Sequence, residues 1–446
     1  MCLVALSGCV RYQPKPIYPA RLEKDFRSRT LDAPGLRAYA EAHRRPPGAW
    51  PPAELDLAAL TLVACYYHPE LDVARARVRL AEAALITAGA RPNPSLATGA
   101  GYSNSPESPI VFQFEAGLLI ETARKRSHRL LRAQKLIEVS KLALTEAAWQ
   151  ARSRVRAALT DRVLALRRLE VLEAEEKARA EAVAVLKQRL KVGEVSRPDV
   201  DAVRAELSNV RVATHAAKGQ AAESLVRLAA AAGLPVATLA HVPVRWAEEA
   251  PPALEALPLA RVQEAGLLNR IDVRRLLLEY DALEAALQLE IARQYPDFQL
   301  LPGHSFEEGH YRITLGLALP LPLRRHTRGP IAEAEARRLE GRARFLALQA
   351  QAIAEMESAL ARYGAALEEF QECERQLLVL QRERERAVRR AVEVGEEDRL
   401  ALAGVRVQTA VLAKTRVEAL AKAQAALGAL EDAVQRALVE QKEGLP

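Results

Sequence analysis

Val111-Phe112-Gln113-Phe114-Glu115-Ala116-Gly117-Leu118-Leu119-Ile120 alternates strictly. Phe112, Phe114, Ala116, Leu118 and Ile120 form one face; Val111, Gln113, Glu115, Gly117 and Leu119 form the other. A period of two is the mark of a strand with one apolar wall and one polar or small wall. Tyr311 to Leu319 behaves alike, with Tyr311, Ile313, Leu315, Leu317 and Leu319 against Arg312, Thr314, Gly316 and Ala318. Leu96, Thr98, Ala100 and Tyr102 alternate with Ser95, Ala97, Gly99 and Gly101. Of 7 Phe, 10 Tyr and 3 Trp, seven fall in 95–120 and 295–322: Tyr102, Phe112, Phe114, Tyr295, Phe298, Phe306 and Tyr311. Strands of about ten residues flanked by aromatics suit an outer-membrane barrel.

Outward from the strands, the chain reads as a tandem repeat. Leu71-Asp72-Val73 recurs as Ile271-Asp272-Val273, Pro94 as Pro296, Gly117 as Gly316, and Val192-Gly193-Glu194 as Val394-Gly395-Glu396. Each pair lies about 200 residues apart, so each half is one structural unit, far longer than a solenoid repeat. The predicted divisions are 1–9, a signal and lipobox remnant; 10–54, a Pro-rich segment; 55–233, the first repeat; 234–258, a Pro-rich linker; 259–437, the second repeat; and 438–446, a tail. Each repeat opens with a helix, Leu55 to Ala90 and Leu259 to Arg293. Strands 95–102 and 111–120 follow in the first, 297–305 and 311–322 in the second. Long helices at 126–190 and 197–232, then 330–392 and 398–437, complete them. Residues 118–192 contain neither Gly nor Pro, so the first long helix spans roughly 100 Å.

Two strands per repeat cannot close a barrel, since the smallest transmembrane barrels have about eight. An open edge in lipid leaves unpaired backbone groups at several kcal/mol each. The strands must therefore share a barrel with copies of the chain, and the long helices must continue it around the same axis. The expected fold is mainly α with a small transmembrane β-barrel contribution, two tandem repeats per chain. The polar wall places Gln113, Glu115, Gln299, Arg312 and Thr314 toward a lumen, and Phe112, Phe114, Ile313 and Leu315 toward lipid.

Composition supports this class. The chain has 446 residues, 50% hydrophobic, 27% charged and 4% aromatic, with formal net charge +7. No window offers the ~20 apolar residues of a membrane-spanning helix. The basic excess is spread over mixed-sign faces, and no nucleic-acid motif accompanies it. No catalytic constellation, phosphate loop, cofactor motif or metal-ligand set is visible; His304 and His310 read as solvated loop residues. Met occurs only at 1 and 356, too few for a thioether ladder. The chain is expected to be no enzyme. Cys2, Cys9, Cys65 and Cys373 form no Cys-x-x-Cys pair. Leu6-Ser7-Gly8-Cys9 is lipobox-like and makes Cys9 a candidate lipidation site. A soluble coiled-coil protein is the reading of another class, but it gives the alternating strands no purpose.

At this point the sequence resembles the TolC family of outer-membrane efflux proteins, over about Leu55 to Ala437. The residues that carry the resemblance are Arg189-x-x-Val192-Gly193-Glu194-x-Ser196, its second copy Val394-Gly395-Glu396, and Asn93-Pro94. Leu317-Ala318-Leu319-Pro320-Leu321-Pro322 and Gly329-Pro330-Ile331-Ala332-Glu333-Ala334 resemble the branch serving cobalt–zinc–cadmium and other heavy-metal resistance-nodulation-division pumps. Thr122-Ala123 stands where that branch usually has glycines.

The resemblance implies a homotrimer with a twelve-stranded barrel in outer-membrane lipid, continued by a periplasmic helical barrel. It also implies a lipid-anchored N-terminus, consistent with Cys9. The expected partners are a periplasmic adaptor protein and an inner-membrane resistance-nodulation-division transporter, with no nucleic acid. The expected function is the exit duct of a tripartite efflux system, with heavy-metal cations as cargo; multidrug efflux and type I secretion are the alternatives. Gly193 and Gly395 end helices, Ser196 and Asp398 cap the helices that follow, and Val192, Gly193, Glu194, Ser196, Val394, Gly395 and Glu396 form the expected docking tips. Arg197, Asp199, Asp398 and Arg399 are candidate gate residues.

Overall fold

The computed structural model describes residues 11–43, 50–102, 104, 110–246, 250–256, 269–307, 310–321 and 327–438. Cys9 and the tail beyond 438 lie outside these, as do 259–268 at the start of the second repeat.

Elements run α1 (Pro19–Arg27), α2 (Pro34–His43), α3 (Leu57–Tyr67), α4 (Pro69–Gly89), β1 (Ser95–Tyr102), β2 (Ile110–Ile120), α5 (Lys125–Lys191), α6 (Arg197–Ala232) and α7 (Val236–Leu239). After them come α8 (Ile271–Ala292), β3 (Phe298–Glu307), β4 (His310–Ala318), α9 (Arg328–Glu372), a π turn (Cys373–Leu377), α10 (Leu378–Glu393) and α11 (Arg399–Val434).

The strands form one antiparallel sheet in the order β1-β2-β3-β4. β2 and β3, from different halves of the chain, pair at its centre, leaving β1 and β4 at the edges. Beneath it the helices attached to the strands follow the same order, with α4 on α5, α5 on α8 and α8 on α9. The α8–α9 approach is close: a Cβ on Gly341 would meet Leu283 Cδ1 at 2.6 Å. α6 and α11 pack on α5, and α11 also packs on α9 and α10. With 67 residues, α5 extends about 100 Å. It meets different helices along its length, so no single apolar stripe runs along it.

Three differences from the sequence reading have local causes. The expected helix from Leu55 to Ala90 is two helices, because Pro69 bars the helical conformation at His68, whose ψ is 124°. The expected strand to 322 ends at Ala318, since Pro320 and Pro322 have no N–H for a ladder. The helix expected over 330–392 is interrupted by the π turn at Cys373–Leu377. That turn contains neither Gly nor Pro, so no breaker residue announces it. Its Glu374 reaches Arg416 of α11, and Cys373 is buried beside Phe370 and Leu420.

The Pro-rich segment and the linker contribute to the core. Leu31, Leu36 and Trp50 join α3, the middle of α5, the end of α6, Leu234 and Leu239 in one core. Trp50 Nε1 donates to the Leu31 carbonyl at 2.8 Å, and Leu55 bridges to Val244 in parallel. α3 is apolar on all sides because this core surrounds it.

At the base of the sheet, Ala123 and Arg124 both take positive φ, 51° and 56°. This left-handed step turns β2 into α5 where the resembling branch uses glycine. A non-glycine residue there costs about 1–2 kcal/mol. Ala123→Gly is therefore expected to stabilise the chain by about 1 kcal/mol in thermal unfolding, after glycine's own entropy is allowed for. An unchanged or lowered midpoint would show that the turn carries no such strain.

Candidate functional site

The register decides which residues share a wall. Phe112 pairs with Phe306 and Phe114 with His304, and these pair in turn with Tyr311 and Ile313. Ala100 and Thr98 complete the rows on β1. Directly paired residues project to the same side, so the apolar wall runs across all four strands. The opposite wall holds Gly99, Gln113, Ser305 and Arg312 in one row. Ala97, Glu115, Gly303 and Thr314 make the next, and Gln299 pairs with Leu119 and Ala318. Gln113, Glu115, Gln299, Arg312 and Thr314 thus lie on one side of one sheet. On the apolar wall Ile313 is 86% exposed and Leu315 73%; on the polar wall Gln113, Arg312 and Thr314 are exposed, and Glu115 and Gln299 half-buried.

The joint between sheet and helices is charged and tied. Buried Lys125 donates to the Tyr295 carbonyl at 2.6 Å and to Asp297 at 2.7 Å. Asp297 also accepts from the Thr122 N–H at 2.7 Å. Arg129 holds Glu121 with two hydrogen bonds, and Arg126 donates to the Gly89 carbonyl. These contacts lock the ends of α4 and α8 to the start of α5. The Lys125 and Thr122 bonds join residues 170 to 175 apart, beyond the reach of any local pattern. Among the described residues no cluster of His, Cys, Asp or Glu is placed to hold a metal ion.

At the far end, the chain turns at Gly193 and Gly395, with φ of 78° and 82°. Glu194 N–H reaches the Arg189 carbonyl and Glu396 N–H the Ala391 carbonyl, the closure that a left-handed residue after a helix permits. Val192 and Val394 project into solvent, 71% and 70% exposed, and a Cβ on either glycine would meet nothing within 4 Å. Ser196 and Asp199 form a capping box at the start of α6, and these Ser196 bonds hold the Asp199 carboxyl below its ordinary value. Asp398 caps α11 through the Ala401 N–H at 2.7 Å.

The four candidate gate residues do not meet one another. Arg197 faces Asp201 at 3.9 Å, Asp199 is engaged in its cap, and Arg399 opens α11. Asp398 instead accepts a hydrogen bond from Arg189 of α5, which ties the two tips together. Arg406 and Glu181, 2.7 Å apart, join the same helices further in. The sequence marks Arg189 as part of the tip motif, but its partner lies 209 residues away.

The Ala401 N–H holds the Asp398 carboxyl below its ordinary value; burial opposes this, and Arg189 adds to it. A depressed folded value means the stabilisation is complete above the unfolded Asp value of about 3.9. It is lost only as pH falls through the lower folded value. The loss of thermal stability caused by Asp398→Asn is therefore expected to be constant from about pH 8 to about pH 5. A loss that shrinks within this window would place control of the tip on another group.

Among the described residues no helix is long and apolar enough to cross a membrane. Residues 64–234 match the sequence profile of the outer membrane efflux protein family, a match confined to the first half. No curated protein sequence matches significantly. Solved structures extend the likeness through both halves. The outer-membrane channel OprN aligns with TM-score 0.69 and 16% identity, over 86% of this chain and 90% of its own. The outer membrane protein VceC of Vibrio cholerae gives 0.68 and 18%, over 86% and 97%. A membrane protein from Pseudomonas aeruginosa gives 0.68 and 18%, over 85% and 92%. At these identities the likeness is one of fold.

Proposed function

We propose that this chain is the exit duct of a tripartite efflux system, a passive outer-membrane channel assembled from three copies. The observation that carries the reading is the sheet: one exposed apolar wall, one polar wall, two open edges, and beneath it long helices, of which α5 reaches about 100 Å. Lipid would cover the first wall, and Gln113, Glu115, Gln299, Arg312 and Thr314 would line water. Copies joined edge to edge would supply the missing backbone partners. Four strands per chain then give a twelve-stranded barrel. A soluble coiled-coil protein would leave the apolar wall facing water.

In this reading the helices stand in the periplasm and Cys9 carries the lipid anchor. The tips at Val192, Gly193, Glu194 and Ser196, and at Val394, Gly395 and Glu396, receive a periplasmic adaptor, which links them to an inner-membrane resistance-nodulation-division pump. Small residues and exposed backbone suit tip-to-tip contact. Arg189 and Asp398 serve as the latch between tips, with Arg197, Asp199 and Arg399 at the mouth. Heavy-metal cations are the proposed cargo, on the resemblance of 317–334 to the metal branch.

The double variant Gly193→Trp, Gly395→Trp tests the duct. It is expected to reach the outer membrane as a trimer but to lose adaptor crosslinking and export. Full export from the assembled variant would refute docking at the tips. A deletion strain is expected to grow poorly on cobalt, zinc or cadmium; sensitivity to drugs alone would overturn the cargo and leave the duct.

A further inference from the structure

The polar wall of the sheet continues below the strands. In its lowest row Leu119 pairs with Gln299, and Gln299 with Ala318. These three line the upper part of a cleft of about 570 Å³ at the joint between sheet and helices. Ile120 and Phe298, beside them on the apolar wall, do not line it, so the cleft opens on the polar side. Through Arg293 and Thr327 it runs on into a second cleft of about 410 Å³, formed by α8 and α9 with Arg132 of α5. That volume is in the range of small-molecule sites.

The lower cleft sets three guanidinium groups, Arg132, Arg293 and Arg337, against two carboxylates, Glu290 and Glu333. Arg293 donates to Glu290 at 2.7 Å, and Arg337 donates to Glu333. Glu290 is set back, its side chain 21% exposed against 55% for Arg293. Arg132 is exposed and forms no ion pair among the described residues. A guanidinium presents five N–H donors in a fixed fork that matches a carboxylate or phosphate, so all three arginines keep donors to spare. α9 begins at the same place, with Thr327 and Pro330 in the cleft wall. Thr327 makes no side-chain cap and the first turn of α9 has no acidic residue, so the positive end of the helix adds to the arginines. A metal cation meets the opposite conditions, and among the described residues no ligand cluster awaits it.

We propose that the cleft between α8 and α9 binds a soluble anion, a carboxylate- or phosphate-bearing molecule, among Arg132, Arg293 and Arg337. Its place in a lumen rests on the duct reading above, since the polar side of the sheet lines the channel only in that reading. The site then adds anions to what the duct takes, at the neck where barrel gives way to helices. Metal cations find no ligands there and pass unretained, while an anion is held by contacts exposed enough to release it, as conduction requires.

The test is titration calorimetry on the full chain in detergent, with citrate and with inorganic phosphate as probes, at low salt because screening weakens such contacts. Saturable binding is expected for both. Arg132→Gln and Arg293→Gln are each expected to weaken citrate by about tenfold, the scale of one lost charge-assisted hydrogen bond. Arg204→Gln, which alters an exposed arginine paired with Asp201 on α6, is expected to bind as the unaltered chain does. Arg132 has no ion pair to lose, so its replacement leaves the fold intact and carries the test alone if Arg293→Gln misfolds. No saturable binding, or equal binding by Arg132→Gln and Arg204→Gln, overturns the site. Displacement of citrate by phosphatidylglycerol added to the micelles assigns the cleft to a lipid headgroup and overturns it as well. The cleft lies within one chain, so native mass measurement separates the two readings: a folded monomer that binds citrate refutes the duct and keeps the anion site, and a trimer that does not bind it refutes the site and keeps the duct.

Discussion

Ile313→Arg is expected to abolish assembly in the outer membrane, while Thr314→Arg, one residue on, is tolerated. Adjacent residues of a strand face opposite sides, and the pairing across the sheet fixes which is which. Ile313 pairs with His304, which pairs with Phe114, so it stands in the aromatic rows. In the proposed barrel a guanidinium placed there would enter hydrocarbon at a cost of about 2–4 kcal/mol at the midplane, and each copy of a trimer would incur that cost. Thr314 pairs with Gly303, which pairs with Glu115. An arginine at 314 would extend over a residue without a side chain, toward a carboxylate, on the wall proposed to face water. The measurement is the fraction of each variant recovered as trimer in outer-membrane extracts. Equal recovery would mean that the walls are assigned to the wrong sides.

How much of this was readable before the structure depended on distance along the chain. The strands announced themselves because a period of two is local: Val111 to Ile120 was expected and Ile110–Ile120 is found. The five lumen candidates could be placed on one wall because each strand declares its own phase, and the sheet needed only to align the phases. The tips were legible from glycine followed by a capping residue, again within a few positions. What could not be read joins distant residues. The Arg189–Asp398 tie, the Lys125–Asp297 lock and the core that gathers Leu31, Trp50 and Leu239 have no spacing that recurs. The break at His68 is a different case, because Pro69 was in view and the apolar run of α3 masked it. The composition of the Pro-rich segment carries no sign that Trp50 and Leu36 are buried anchors.

Glu431→Gln is expected to destabilise the chain by about 3–5 kcal/mol, the usual result of stripping one partner from a buried ion network. Glu431 is 1% exposed. Its carboxylate accepts from Arg152 at 3.1 Å, faces Arg156 Nε at 3.4 Å and accepts from the Leu438 N–H at 3.0 Å. Both arginines are buried on α5, midway along the molecule. Arg152 has Trp149 as a second support, its guanidinium 4.9 Å from the ring. Arg156 has less: it donates to the Gln424 carbonyl at a long 3.4 Å, and one of its terminal nitrogens has no partner among the described residues. Gly428 makes the site possible, since a Cβ there would lie 2.1 Å from Arg156 Nη1. With glutamine at 431, the shape survives but two guanidinium charges lose their counter-ion in a low-dielectric site. Asp432→Asn is the control. Asp432 is exposed and accepts from Trp149 at 3.0 Å on the same turn, and such a surface contact is worth at most about 1 kcal/mol. Replacing the whole network, with Glu431→Leu, Arg152→Met and Arg156→Leu together, is expected to recover most of the loss, because apolar groups of similar volume need no partners. Urea unfolding of the detergent-solubilised protein reads all three. If Glu431→Gln unfolds no earlier than Asp432→Asn, the carboxylate is not what holds the two arginines between α5 and α11.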